Sequence, residues 1–139
     1  MSLYLSHVAI ACPQIEQAIG RMEALRLVVE RTCEVPAEKV RAAFVPVAVS
    51  PHFRIEFIEP LDNSSVLAKF LAERPKGGLH HLCFEVSHLD GWMQGLVNAG
   101  LTILPPGIRE GARGRALFIH PKDMVGVLVE LEEIHELSA

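Results

Sequence analysis

A chain of 139 residues, 50% of them apolar and 22% charged, can build one soluble core or two small modules sharing one. Its net charge of −4 argues against a broad basic surface for nucleic acid, and no apolar run approaches the roughly 18–20 residues that span a bilayer. The three cysteines, Cys12, Cys33 and Cys83, form no CxxC pair; with no signal peptide apparent, they fit a reducing cytoplasm better than a disulfide scaffold.

In chain order, Leu3 to Ala11 alternates as a strand, and Pro13 opens a helix through about Leu25, with Ile15, Ile19 and Met22 turned toward a sheet. Leu27 to Cys33, Val40 to Val47 and Phe53 to Ile58 read as three further strands, with a turn at Pro36. A helix over Asn63 to Arg74, capped by Ser64 or Ser65 and stopped at Pro75-Lys76-Gly77-Gly78, connects to a second run of the same elements. That run is a strand at Leu79 to Val86, a helix at about Leu89 to Ala99 with Gly100 as its stop, and a strand at Leu101 to Leu104. A polar loop from Gly107 to Gly114 precedes strands at Arg115 to His120 and Gly126 to Leu131. Trp92, beside Met93 and Leu96, reads as core, whereas His52, His88, His135 and the acidic tail Glu132, Glu133 and Glu136 read as solvated surface.

The second run copies the first without a gap. His7 and His81 stand 74 residues apart, and the same offset separates Glu56 from Glu130 and Arg41-Ala42-Ala43-Phe44-Val45 from Arg115-Ala116-Leu117-Phe118-Ile119. Modules related by an approximate twofold bring equivalent residues together at the axis, so His7, Glu56, His81 and Glu130 are the candidate ligands of one divalent metal ion. Neighbouring strand residues face opposite sides, so His80 and His81 cannot both point inward, and the repeat selects His81. A carboxylate in an apolar strand is costly to bury without a partner. The plainer alternative is that both glutamates point to solvent from an exposed face. Imidazole with carboxylate suits cobalt, nickel, zinc, manganese or iron, and a fourth protein ligand favours Lewis-acid chemistry over oxygen activation.

The paired βαβββ pattern and its twofold-related His and Glu resemble the vicinal oxygen chelate superfamily, which includes glyoxalase I, extradiol dioxygenases and fosfomycin or bleomycin resistance proteins. The segments His7-Val8-Ala9-Ile10-Ala11, Ile55 to Leu61, Val66 to Leu71, Gly78-Leu79-His80-His81-Leu82-Cys83-Phe84-Glu85-Val86, Phe118-Ile119-His120-Pro121-Lys122 and Gly126 to Leu131 are similar to its methylmalonyl-CoA epimerase branch. The resemblance implies an α+β fold: two βαβββ modules with pseudo-twofold symmetry, forming a curved mixed sheet around a metal site. A single domain over 1–139 would hold module one at about 3–60, the connecting helix at about 63–75 and module two at about 78–135.

It also implies a metal-dependent isomerase that interconverts the C2 epimers of methylmalonyl-CoA, or of a similar 2-substituted acyl-CoA, through a metal-stabilised enolate. A homodimer is implied too, with no membrane or nucleic-acid partner. The metal would be one divalent ion held by His7, Glu56, His81 and Glu130. Some members carry glutamine where Glu56 stands and a separate acid–base glutamate on the neighbouring strand; here that position is Ala42. Glu56 and Glu130 are therefore the expected acid–base pair. His120, Lys122 and Arg113 are candidates for substrate contact, with Arg109 and Arg115 beside them. A glyoxalase I-type lactoylglutathione lyase uses the same residue set and is the alternative; a non-catalytic antibiotic-binding resistance protein is a further one, and a dioxygenase is disfavoured by the extra carboxylate. The first helix lacks the aromatic pair and LG turn usual in the family.

Overall fold

The computed structural model describes residues 3–47 and 50–135, with the side chains of 50–52 outside the description. It divides into two compact units, one His7–His80 and the other Met1–Ser6 with His81–Ala139.

In the His7–His80 unit, β1 (Leu3–Ala11) leads through α1 (Ile15–Glu23) to β2 (Arg31–Val35), β3 (Val40–Val47), β4 (Ser50–Pro60) and α2 (Val66–Glu73). The strands lie in the order β2-β3-β4-β1. β3 joins β2 and β4 antiparallel, and β1 runs parallel to β4, as a crossover through a helix requires. Alternation sends Ala43, Val45 and Phe57 to one face, where Ile15 is fully buried and Ile19 and Met22 pack beside it. The helical spacing of those three residues thus matches what the sequence requires. Ser65, rather than Ser64, caps α2, its hydroxyl accepting from the Leu67 amide at 3.2 Å. At Gly77 the backbone has φ +89°, and a Cβ there would come within 2.2 Å of the Ala11 carbonyl oxygen, so only glycine fits.

The other unit holds β5 (Gly78–Val86), α3 (Leu89–Asn98), β6 (Arg109–Glu110), β7 (Arg115–Ile119) and β8 (Leu128–Glu133), the strands lying β5-β8-β7-β6. Val86, Leu89, Leu117, Ile119, Val129 and Leu131 form its core, with Trp92, Met93 and Leu96 of α3 packed on them. The pairing of its three inner strands reproduces that of the other unit, while the edge strands β2 and β6 differ in register. Ala9 lies opposite Glu56 as Cys83 does Glu130, and Phe44 lies opposite Glu56 as Phe118 does Glu130.

Two expected strands changed. Leu27 to Cys33 enters the ladder only at Arg31: Arg26 adopts φ 60°, and Leu27 and Val29 pack on the core beforehand. Leu101 to Leu104 makes a single bridge, Ile103 to Ile119, before Pro105 and Pro106, which have no N–H to extend a ladder. Conversely, the loop expected over Gly107 to Gly114 contains β6 and closes on a hydrogen bond from the Gly111 amide to the Gly114 carbonyl.

Candidate metal centre

His7 on β1 and Glu56 on β4 face the same side, away from α1, and are 2% and 5% exposed. Nε2 of His7 lies 3.0 Å from Oε2 of Glu56. In the other unit Nε2 of His81 lies 3.4 Å from Oε1 of Glu130, both buried. Such spacings suit two ligands of one cation. Donors about 2.1 Å from a metal are about 3.0 Å apart at right angles and about 3.4 Å apart in a tetrahedron. An imidazole nitrogen and a carboxylate oxygen facing each other out of water need a shared proton or a cation between them. The donor set of each pair fits a divalent ion of borderline hardness.

His81 is the buried member of its pair; the half-buried His80 packs edge-on against Phe70 of α2, ring centroids 5.0 Å apart. Phe118 meets the His81 ring edge-on at 5.6 Å, and the Arg109 guanidinium stacks over Phe118 at 4.9 Å. Ala42 is fully buried, opposite Ile58 on β4, and supplies no proton-transfer group.

The remaining candidates have local partners. Nδ1 of His120 accepts from the Lys122 amide at 3.0 Å, capping a 3₁₀ turn over Pro121–Asp123, while Lys122 is exposed. Arg113 donates to Glu85 at 2.7 Å and Ser6 at 3.3 Å, and lies 3.7 Å from Glu132. His88 and His135 are exposed as expected; the side chain of His52, and Glu136, lie outside the described residues.

The acidic tail required correction. Glu132 is 1% and Glu133 8% exposed, because β8 continues to Glu133 and carries both into the packed sheet. Glu133 accepts from the Leu89 amide at 2.8 Å, capping α3, and binds Arg115, which also holds Asp90. The repeat holds the same clamp: Glu59 accepts from the Ile15 amide at 3.0 Å, and Arg41 binds Glu59 and Glu16. Arg115 is thus bound within its own unit, and the offset that matched Arg41 to Arg115 was the available signal for this clamp. Hydrogen bonds from Arg115 and the Leu89 amide hold the Glu133 carboxyl below the usual glutamate range. Burial raises the Cys12 thiol to about 11 and also raises Cys33, which feels the opposing charges of Arg31 and Glu56.

Known proteins similar to this chain agree in family. The ethylmalonyl-CoA/methylmalonyl-CoA epimerase of Cereibacter sphaeroides is 38% identical over 133 residues, 94% of this chain and 97% of that one. The crystal structure of methylmalonyl-CoA epimerase from Mycobacterium tuberculosis superposes with a TM-score of 0.88 at 35% identity, covering 96% of this chain and 89% of that one. A Streptomyces coelicolor methylmalonyl-CoA epimerase variant in complex with 2-nitronate-propionyl-CoA gives a TM-score of 0.86 at 28% identity, covering 97% and 100%. The fold is therefore the vicinal oxygen chelate fold that the resemblance implies. With a family profile matching residues 6–118 as well, the chain belongs to the Glyoxalase/Bleomycin resistance protein/Dioxygenase superfamily.

Proposed function

We propose that the chain is a metal-dependent isomerase that epimerises methylmalonyl-CoA, or a similar 2-substituted malonyl-type thioester, at C2. The observation carrying this reading is the duplicated buried His–Glu contact, 3.0 Å in one unit and 3.4 Å in the other. The relatives named above support the substrate class. His7, Glu56, His81 and Glu130 would hold one divalent ion, of the cobalt, nickel, zinc or manganese kind. When bound, that ion supplies Lewis acidity that lowers the C2 proton's pKa and steadies the enolate.

Each repeat gives one acid–base carboxylate. Glu56, ionised, takes the C2 proton and leaves its bonding pair in the enolate, while Glu130, protonated at the start, gives its proton to C2; the two end with protonation states exchanged, ready for the reverse epimerisation. With alanine at position 42, no further carboxylate is offered there. His120, Lys122 and Arg113 serve as polar contacts for the acyl-CoA. A homodimer in a reducing cytoplasm suits this assignment and suits Cys12, Cys33 and Cys83, which form no disulfide with one another. Among the described residues no helix is long and apolar enough to cross a membrane.

Incubating metal-loaded protein with methylmalonyl-CoA in deuterium oxide tests the reading: deuterium should enter C2. No exchange, with turnover of the methylglyoxal–glutathione adduct, would replace it by a lactoylglutathione lyase.

A further inference from the structure

Three arginines lie between the start of β6 and the start of β7, and two of them are paired with carboxylates. Arg113 donates to Glu85 at 2.7 Å, and Arg115 binds Glu133 and Asp90. Arg109 meets no carboxylate among the described residues. Its Nη2 donates to the Pro105 carbonyl at 3.2 Å, and its Nε is buried. The side chain is thus held at its stem and at one corner. Its Nη1 makes no hydrogen bond among the described residues, so the end-on Nη1–Nη2 edge keeps N–H groups for an anion.

That guanidinium lies on the side of the sheet that carries the ligand glutamate. Glu130 and Glu132 point the same way along β8, Ala116 lies opposite Glu132, and Arg109 lies opposite Ala116. From there Arg109 leans over the ring of Phe118 at 4.9 Å. Phe118 lies opposite Glu130 and meets the His81 ring edge-on at 5.6 Å. One phenyl ring therefore separates the guanidinium from the His81–Glu130 pair, and stacking on that ring restrains it.

This placement has chemical meaning on the functional reading above, on which the inference rests. With C2 of the substrate at Glu130, the free carboxylate of a malonyl group is one bond from the reacting carbon, whereas the CoA phosphates are a pantetheine arm away. Deprotonation at C2 puts enolate charge beside that carboxylate, and a cation on the carboxylate weakens their repulsion. We propose that Arg109 binds the free carboxylate of the substrate end-on and selects malonyl-type thioesters over those of monocarboxylic acids. A guanidinium fork matches the two oxygens of a carboxylate, as an ammonium does not.

Isobutyryl-CoA differs from methylmalonyl-CoA by a methyl group in place of the carboxylate, so the pair isolates this contact. Titration calorimetry on cobalt-loaded protein should show that Arg109→Leu weakens methylmalonyl-CoA binding by about tenfold to a hundredfold and leaves isobutyryl-CoA unchanged. Arg109→Lys, which keeps the charge but not the fork, should fall between. Metal content and thermal melting of each variant confirm a loaded, folded protein. Equal weakening of both ligands by Arg109→Leu would place Arg109 on the shared CoA portion and overturn the proposal, as would no change in either. A wild-type protein that shows Arg109-dependent preference for methylmalonyl-CoA but no C2 exchange would sink the epimerase reading and leave this one standing.

Discussion

Glu56 and Glu130 are each asked to bind a cation and to move a proton, and a carboxylate can do both because it has two oxygens. Oε2 of Glu56 is the atom nearest His7, and Oε1 of Glu130 the atom nearest His81. Substituting Glu56→Gln keeps a metal-binding oxygen but removes the proton acceptor. The variant should retain metal by elemental analysis and lose C2 exchange by about a hundredfold or more; full exchange would remove Glu56 from proton transfer. His81→Ala should abolish metal retention, whereas His80→Ala, which loses the edge contact with Phe70, should leave it nearly intact. Equal loss in both would contradict the strand alternation on which His81 was selected. That alternation was legible because it needs only the period of a strand and the matching His7. The partners of Arg113 were not, since Ser6 and Glu85 are distant in sequence and meet it only after folding.

At the scale of elements, the repeated clamp fixes each crossover helix to the strand that carries the site glutamate. Glu59 and Glu133 lie three residues beyond Glu56 and Glu130, on the opposite face, and reach the first amides of α1 and α3. There they satisfy an amide that the helix itself leaves unbonded and place negative charge at the positive end of its dipole. Glu133→Gln should cost about 1–2 kcal/mol in urea melts. Its pH dependence has a definite sign. Because the folded pKa lies below the ordinary 4.5, the stabilisation is complete above 4.5 and is lost as pH falls through the folded value. Acid titration of stability should therefore be shallower in the variant than in the parent. Element types and order could be read from hydrophobic period and turn residues, but these carboxylates could not. A pair such as Glu132-Glu133 looks solvated until the pairing of β8 with β5 and β7 buries it. The start of β2 was missed for a related reason, since Leu27 and Val29 have strand-like chemistry but spend it on the core.

For the whole molecule, an ion held by all four ligands should stabilise the fold by mass action. At free metal a hundredfold above its dissociation constant the gain is about 2.7 kcal/mol, which for a chain of this size is a rise of about 5–10 °C in melting temperature. Calorimetry with and without chelator measures it, and an unchanged midpoint would argue against a four-ligand site. The three thiols offer a way to watch that scaffold at work. Cys12 and Cys83 are buried on opposite sides of the chain's division, and Cys33 is half-exposed beside Arg31 and Glu56. Alkylation followed by mass spectrometry should mark Cys33 in the native state, more slowly when ligand covers its neighbours, and reach the other two only as their own units open. The molecule thus carries an internal clock for the opening of each unit, with Cys33 as its native-state reference, readable without adding any label by mutation.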